Sequence, residues 1–184
     1  VGNTTGESNT ACGNGSMRFN QTGNRNTAIG SSSLLYNTSG HRNTAIGCVT
    51  LTDNTTGDYN TALGYESLHS NTTAGHNIAI GYRALLTQSY DNYGYDWDSW
   101  NIAIGDEALY SNQPTSDWNG DRNMAVGHAS LWSNTTGSNN TAVGYESMHA
   151  NTTGFNNVAL GNEALSSNTT GENNTAIGCY ALNT

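Results

Sequence analysis

The chain has 184 residues, 34% of them hydrophobic, and a formal net charge of −9. Five arginines and no lysine cannot form the cationic stripe that follows a phosphate backbone, so the charge argues against a nucleic-acid partner. No apolar run approaches the roughly 18 residues of a membrane-spanning helix, so we expect no membrane insertion.

A repeated pentad, Asn-x-Ala-apolar-Gly, sets the period of the chain. Seven of the nine intervals between successive pentads are 17 residues, and the other two are 24 and 22 residues. The pentads begin at Asn9, Asn26, Asn43, Asn60, Asn77, Asn101, Asn123, Asn140, Asn157 and Asn174. A short fixed period is typical of a solenoid, in which each unit buries its apolar side against its neighbours. We therefore expect residues 1–184 to be a single solenoid segment of ten repeats, cut from a longer fibre.

Each repeat, counted from its asparagine, opens with a predicted strand of about five residues. Position three is always Ala, position five is always Gly, position four is Ile, Leu, Val or Cys, and position two is Thr, Ile, Val or Met. Side chains alternate along a strand, so positions two and four are expected to build the interior and the Ala row to face outward. A row that admits nothing larger than Ala predicts close approach by another backbone, most simply at a subunit interface.

The second half of each repeat carries Leu or Met at position nine and closes with a turn such as Asn-Thr-Thr-Gly at residues 134–137. Segments such as residues 65–68 fit either a second short strand or one helical turn. The predicted fold class is all-β: a repetitive parallel β-roll or β-solenoid with 17-residue rungs and a possible single helical turn per rung. The asparagines at positions one and twelve should stack into ladders that join successive rungs. The predicted position-one ladder contains Asn26, Asn43, Asn60, Asn77, Asn101, Asn123, Asn140, Asn157 and Asn174.

Two pentads, Asn77-Ile-Ala-Ile-Gly81 and Asn157-Val-Ala-Leu-Gly161, resemble the head repeat of trimeric autotransporter adhesins, the YadA-like head. The longer unit at residues 140–154 is similar to bacteriophage tail-fibre repeats of the NTAxGxxxLxxNTTG type. The 17-residue period is longer than that of adhesin heads. The resemblance implies an elongated homotrimer outside the cell, on a cell surface or a virion tail fibre, that binds surfaces without catalysis.

Two insertions interrupt the array in consecutive rungs, at about residues 86–100 and 112–122. Both fall between position nine and the next asparagine, so they should leave the roll on the same edge, roughly one rung spacing apart. Aromatic faces can stack on sugar rings and carboxylates can accept hydrogen bonds from hydroxyls, and long loops on a rigid scaffold often carry binding. The candidate ligand-binding residues are Tyr90, Tyr93, Tyr95, Trp97, Trp100, Trp118, Asp96 and Asp98. They would contact a cell-surface glycan or protein receptor, or alternatively fold back and pack on the roll.

Asp117, Asn119 and Asp121 place oxygen donors at alternate positions, as a calcium loop does, although the distal bidentate Glu is missing. Calcium is the one cofactor that the sequence suggests. No Ser-His-Asp, paired-carboxylate or phosphate-loop arrangement stands out, so we expect no enzyme.

Three functions compete at this point. The first is an elongated trimeric fibre or adhesin segment that attaches to a host or cell surface through the insertions. The alternative is a purely structural extracellular filament or fibre shaft. The third is an ice-binding solenoid, because Thr-Thr pairs such as residues 152–153 would form exposed rows, although the insertions would interrupt them.

Overall fold

The computed structural model describes residues 2–90, 92 and 97–183, and these residues contain short strands and turns but no helix. The strands are β1 (Thr10–Cys12), β2 (Thr27–Ile29), β3 (Thr44–Ile46), β4 (Thr61–Leu63), β5 (Ala74–Gly75), β6 (Ile78–Ile80), β7 (Trp97–Asp98), β8 (Ile102–Ile104), β9 (Met124–Val126), β10 (Thr141–Val143), β11 (Val158–Leu160) and β12 (Thr175–Ile177). Ten of them form one parallel sheet in the order β1-β2-β3-β4-β6-β8-β9-β10-β11-β12, and β5 pairs with β7 in a second sheet.

The ten strands stay in register along the whole sheet, and both insertions leave that register unchanged. Ala142 lies opposite Ala125 on one side and Ala159 on the other, and Ala79 lies opposite Ala103 across the longer interval. Each repeat therefore forms one rung. The predicted β-solenoid with 17-residue rungs is confirmed.

The second half of each rung is a series of turns, and the helical turn considered from the sequence is not formed. Positions seven and nine have positive φ angles, for example 52° at Glu66 and 50° at Leu68. Alternate backbone N–H groups point to the neighbouring rung, as in the 2.9 Å bond from Leu68 N to the Ala84 carbonyl oxygen. A helical turn would direct these groups within one rung, so the inter-rung bonds replace it.

The interior lies between the Ala row and the Leu or Met row, so the expected orientation of the strand was wrong. Ala142 and Ala159 have no exposed surface, and Leu131 from the opposite wall is equally buried. The large aliphatic side chains of position four face outward instead, with 40% of Ile29 and 37% of Ile104 exposed. The interior is narrow: the position-nine side chains fill it, which leaves room opposite them for a methyl group only. The Ala row is therefore a core row and does not form a surface for a second chain.

Two buried asparagine ladders run along the solenoid. At position one, the backbone N–H of Asn43 donates to Oδ1 of Asn26 at 2.8 Å, and Asn43 Nδ2 donates to the carbonyl oxygen of Gly57 at 2.8 Å. At position twelve, Asn54 Nδ2 donates both to Asn37 Oδ1 and to the same Gly57 carbonyl oxygen, at 2.8 and 3.0 Å. The position-one ladder predicted from the sequence is present, and both ladders converge on one carbonyl in each regular rung.

Gln88 carries the position-twelve ladder past the first insertion. Its Nε2 donates to Asn71 Oδ1 at 3.3 Å and to the Ser99 hydroxyl at 3.1 Å. Its Oε1 accepts from Asn101 Nδ2 at 2.9 Å and from Asn112 Nδ2 at 3.0 Å. A glutamine, one methylene longer than asparagine, thus joins the two ladders where the rung is enlarged.

Replacing Gln88 with alanine is expected to lower the free energy of unfolding by about 1–3 kcal/mol for each buried amide group left without a partner. Thermal denaturation followed by circular dichroism measures this loss. Gln113→Ala is the matched control, because Gln113 is exposed and its side chain has no hydrogen bond in the described chain. Equal melting temperatures for the two variants would contradict a structural role for Gln88.

Candidate functional site

The two insertions and the turns beside them form one side of the solenoid, built from repeat positions 14 to 17. We call this side the turn edge. The residue before each pentad from the second onward, position 17 of a regular repeat, places the following side chains along it: Arg25, Arg42, Tyr59, His76, Trp100, Arg122, Asn139, Asn156 and Asn173. The two insertions also contact each other, since Asn92 Nδ2 donates to Asp117 Oδ2 at 3.0 Å. The expectation that both insertions leave on the same edge is therefore supported by a direct bond.

The end of the first insertion is built into the solenoid. Trp97 begins β7, which pairs with β5, and only 6% of its side chain is exposed. The Tyr90 ring meets the Trp97 ring edge-on, with the centroids 5.7 Å apart. Trp97 is thus a packing residue and is not accessible to a ligand. Three other candidates, Tyr93, Tyr95 and Asp96, lie outside the described residues.

A stack of rings runs along the turn edge next to the first insertion. The His76 ring lies between Tyr59 and Trp100, with centroid distances of 4.7 and 4.1 Å. His76 Nδ1 is 2.7 Å from Asp98 Oδ1, and the Arg42 guanidinium covers the other side of Tyr59 at 4.9 Å from its centroid. Tyr59 and His76 are covered on both faces and Trp100 on the face towards His76, so the faces between these rings are already occupied. Trp100 and Asp98, two of the candidate ligand-binding residues, therefore stabilise this stack.

Similar ring stacks occupy other repeat positions. Tyr110, Trp132 and His149 stack with centroids 5.3 and 5.5 Å apart, and Tyr65 stacks on Tyr82 at 5.7 Å. A hydrogen bond with the Glu66 carboxylate raises the pKa of the Tyr65 hydroxyl. The sequence carries a signal for these stacks, because aromatic residues recur at the same repeat position in adjacent rungs.

The three residues proposed for calcium make separate contacts. Asp117 accepts from Asn92, whereas Asn119 Oδ1 accepts from the Thr115 backbone N–H at 2.9 Å. Asp121 forms an ion pair with Arg122 at 2.9 Å. Within the described part of the chain, no three His, Cys, Asp or Glu side chains are grouped so that they could hold a metal ion. The calcium site remains a prediction without a formed set of ligands.

Trp118, in contrast, projects from the second insertion into solvent. Its side chain is 85% exposed and makes no ring contact with the described residues. The loop that carries it is fixed at both ends, because Gln113 N donates to the Thr135 carbonyl at 2.9 Å and Gly120 N to the Thr136 carbonyl at 3.0 Å. A large indole is therefore held out from the rod on an ordered loop.

Trp118 borders a shallow groove of about 290 Å³, which we call the Trp118 groove. Its walls are formed by Trp118, Asn119, Thr136, Ser138, Asn139, Thr153 and Phe155. Five of these residues come from the two rungs after the insertion and were not among the candidate ligand-binding residues predicted from the sequence. The Thr-Thr pairs pointed only to exposed rows, and the five residues occupy ordinary turn positions.

A second groove lies on the turn edge towards the amino-terminal end. Asn24, Arg25, His41 and Arg42 line a volume of about 230 Å³. We call it the arginine groove, since it holds two of the five arginines in the chain. The turn edge thus offers one uncharged groove and one cationic groove.

No protein-family model, curated protein or solved structure matches this chain. The described residues include no helix that is long and apolar enough to cross a membrane. Fold and edge together define a β-solenoid that carries an exposed groove beside a fixed aromatic loop.

Proposed function

We propose that the protein is an elongated fibre or adhesin segment that attaches to a host or cell surface through its turn edge. The observation that carries this proposal is Trp118, which is 85% exposed on a loop fastened to a regular rod. Ten rungs at about 4.8 Å give a rod section of about 48 Å. Binding residues commonly lie on loops that a rigid scaffold holds in place. This function would place the chain outside the cell, on a cell surface or a virion tail fibre, and it includes no catalytic step.

Homotrimer formation is part of the proposal, with a contact surface different from the Ala row. Positions two and four of the ten strands form what we call the outer strip. It contains only Thr, Ile, Val, Leu, Met and Cys, although the chain carries a net charge of −9. Two copies can approach each other closely along the outer strip because no carboxylates would face one another there. The contact would also remove apolar surface from water. The threefold state itself rests on the resemblance to trimeric fibres.

The double substitution Ile80→Asp and Ile104→Asp, in the middle of the outer strip, is expected to convert trimers into monomers. The new carboxylates of neighbouring copies would then face one another in the contact, and their repulsion would weaken association by several kcal/mol. Light scattering coupled to size-exclusion chromatography measures the mass. Thr169→Asp is the control, because Thr169 is exposed away from the strip. A wild-type chain that is monomeric at every concentration would refute trimer formation.

Attachment is tested by incubating the labelled chain with bacterial and animal cells and with immobilised glycans and surface proteins. Saturable binding that free chain competes away supports the proposal. Absence of binding to every surface would favour the alternative, a structural extracellular filament or fibre shaft. One observation favours that alternative for the first insertion: Trp97 is buried and Asp98 contacts His76.

The ice-binding alternative is weaker. Several hydroxyls of the Thr rows bond to the next rung, as Thr135 Oγ1 does to the Thr152 carbonyl at 3.0 Å and Thr152 Oγ1 to the Thr169 carbonyl at 3.0 Å. The first Thr of each of these pairs therefore has no hydroxyl proton free to order water. Thermal hysteresis measurements test this function directly.

A further inference from the structure

We propose that the Trp118 groove binds an uncharged sugar ring of a neutral glycan. This inference rests on the proposed attachment function and specifies its ligand. The groove, at about 290 Å³, lies at the small end of the range for ligand sites, which suits one ring better than an extended chain.

Aromatic surface for stacking is present on two sides of the groove. Trp118 is 85% exposed and Phe155 is 42% exposed. In contrast to Trp100, which stacks on His76 at 4.1 Å, neither ring stacks on another ring in the described chain. Both rings line the groove and neither is covered by another ring, so they can contact the apolar C–H face of a sugar, whereas the rings of the neighbouring stack cover one another.

Hydrogen-bonding side chains without partners in the described chain also line the groove. The side chains of Thr136, Thr153 and Asn139 make no hydrogen bond with the described residues, and each is at least partly exposed. Hydroxyl and amide groups both donate and accept, which matches the hydroxyls of a sugar ring. The Ser138 hydroxyl, in contrast, already accepts from the Asp121 backbone N–H at 3.3 Å.

The charge of the groove selects for a neutral ligand. None of its seven wall residues is charged, and the adjacent Asp121 and Arg122 neutralise each other in an ion pair of 2.9 Å. A sialylated or uronate-containing glycan would bring a carboxylate to a protein of net charge −9 without a cation in the groove to receive it. Such a ligand would fit the arginine groove better.

The loop also supports binding because it is ordered before a ligand arrives. Asn119 holds Thr115 through two bonds, from Thr115 N to Asn119 Oδ1 at 2.9 Å and from Asn119 Nδ2 to Thr115 Oγ1 at 3.1 Å. The Trp118 backbone N–H also donates to the Ser116 hydroxyl at 3.4 Å. Less conformational freedom is lost on binding when the loop is already fixed.

The test is an array of neutral and acidic glycans probed with the full chain, followed by calorimetric titration of the glycans that bind. We expect binding to neutral glycans, and Trp118→Ala and Phe155→Ala should each raise the Kd by roughly tenfold or more. Trp100→Ala is the matched control, an exposed tryptophan on the same edge but outside the groove, and should leave the Kd unchanged. Melting temperatures should confirm that all variants remain folded.

Three outcomes would overturn the inference, and they separate it from the proposed function. If cells are still bound and Trp118→Ala binds as wild type does, the groove is not the site but attachment stands. If only acidic glycans bind and Arg42→Ala abolishes that binding, the ligand occupies the arginine groove. If the wild-type chain binds no cell, glycan or surface protein, both the inference and the attachment function fail.

Discussion

Replacing Gly144 with alanine is expected to lower the free energy of unfolding by about 3 kcal/mol or more, because backbone strain and a steric clash act together. Gly144 is the position-five glycine of its rung and has a φ of 137°, a region that residues with a Cβ rarely adopt. A Cβ added there would lie 2.3 Å from the carbonyl oxygen of Gly161 in the next rung. Neighbouring rungs cannot move apart to relieve the clash without losing the hydrogen bonds between their strands.

The variant Gly178→Ala separates the effect of backbone strain from the effect of the steric clash. Gly178 has a similar φ of 122°, but it lies in the last rung and an added Cβ would meet nothing within 4 Å. Thermal or urea denaturation of the two variants measures the difference. We expect the smaller loss for Gly178→Ala. A Gly144→Ala variant as stable as wild type would mean that the rungs are not stacked as closely as the structure has them.

Replacing Asn140 with alanine is expected to cost about 1–3 kcal/mol for each buried group that loses its partner. Asn140 Nδ2 donates to the Gly154 carbonyl at 2.8 Å, and Asn140 Oδ1 accepts from the Asn157 backbone N–H at 3.1 Å. Both bonds lie in the fully buried position-one ladder. Alanine removes the donor and the acceptor together. The Asn157 backbone N–H then loses its partner, and the Gly154 carbonyl keeps only the bond from Asn151 Nδ2 at 3.1 Å.

The matched control for the ladder is Asn156→Ala. Asn156 is exposed, and its side-chain bond to Asn173 lies at the surface, so its removal should lower the melting temperature only by the smaller cost of placing alanine at a φ of 56°. Asn140→Asp adds a second comparison, because aspartate keeps the acceptor for Asn157 but loses the donor to Gly154. If Asn140→Ala left the melting temperature unchanged, water would be able to replace the ladder bonds, and Asn140 would not be shielded from solvent.

The period and register of the solenoid could be predicted because they depend only on spacing along the chain. Asn140, Asn157 and Asn174 recur every 17 residues, and identical side chains at a fixed period favour stacking in register. The ladder followed from the same argument. Which side chains of the strand face inward could not be predicted in this way. Side chains alternate along a strand, so either positions two and four or position three could face the interior. The volume of the position-nine side chains on the opposite wall decides between them.

The candidate site was predictable only in outline. Sequence indicated the two insertions, but it did not distinguish Trp97, which is buried, from Trp118, which is exposed. The difference arises from β7, which takes Trp97 into the solenoid by pairing with β5. Phe155 and Thr153 join the groove only through the stacking of later rungs on the insertion. No local pattern marks them.

The buried position-twelve ladder has a consequence for producing the protein. Asn54, Asn71, Asn134 and Asn151 each begin an Asn-Thr-Thr triplet, which is an acceptor sequence for N-linked glycosylation in a secretory pathway. The atom that would carry the sugar is Nδ2, and in all four residues it is a fully buried donor inside the rod. An oligosaccharide attached to the growing chain would remove a ladder bond and could not enter the interior. A eukaryotic secretory host would therefore hold the chain unfolded, whereas a host that does not glycosylate these triplets would let it fold.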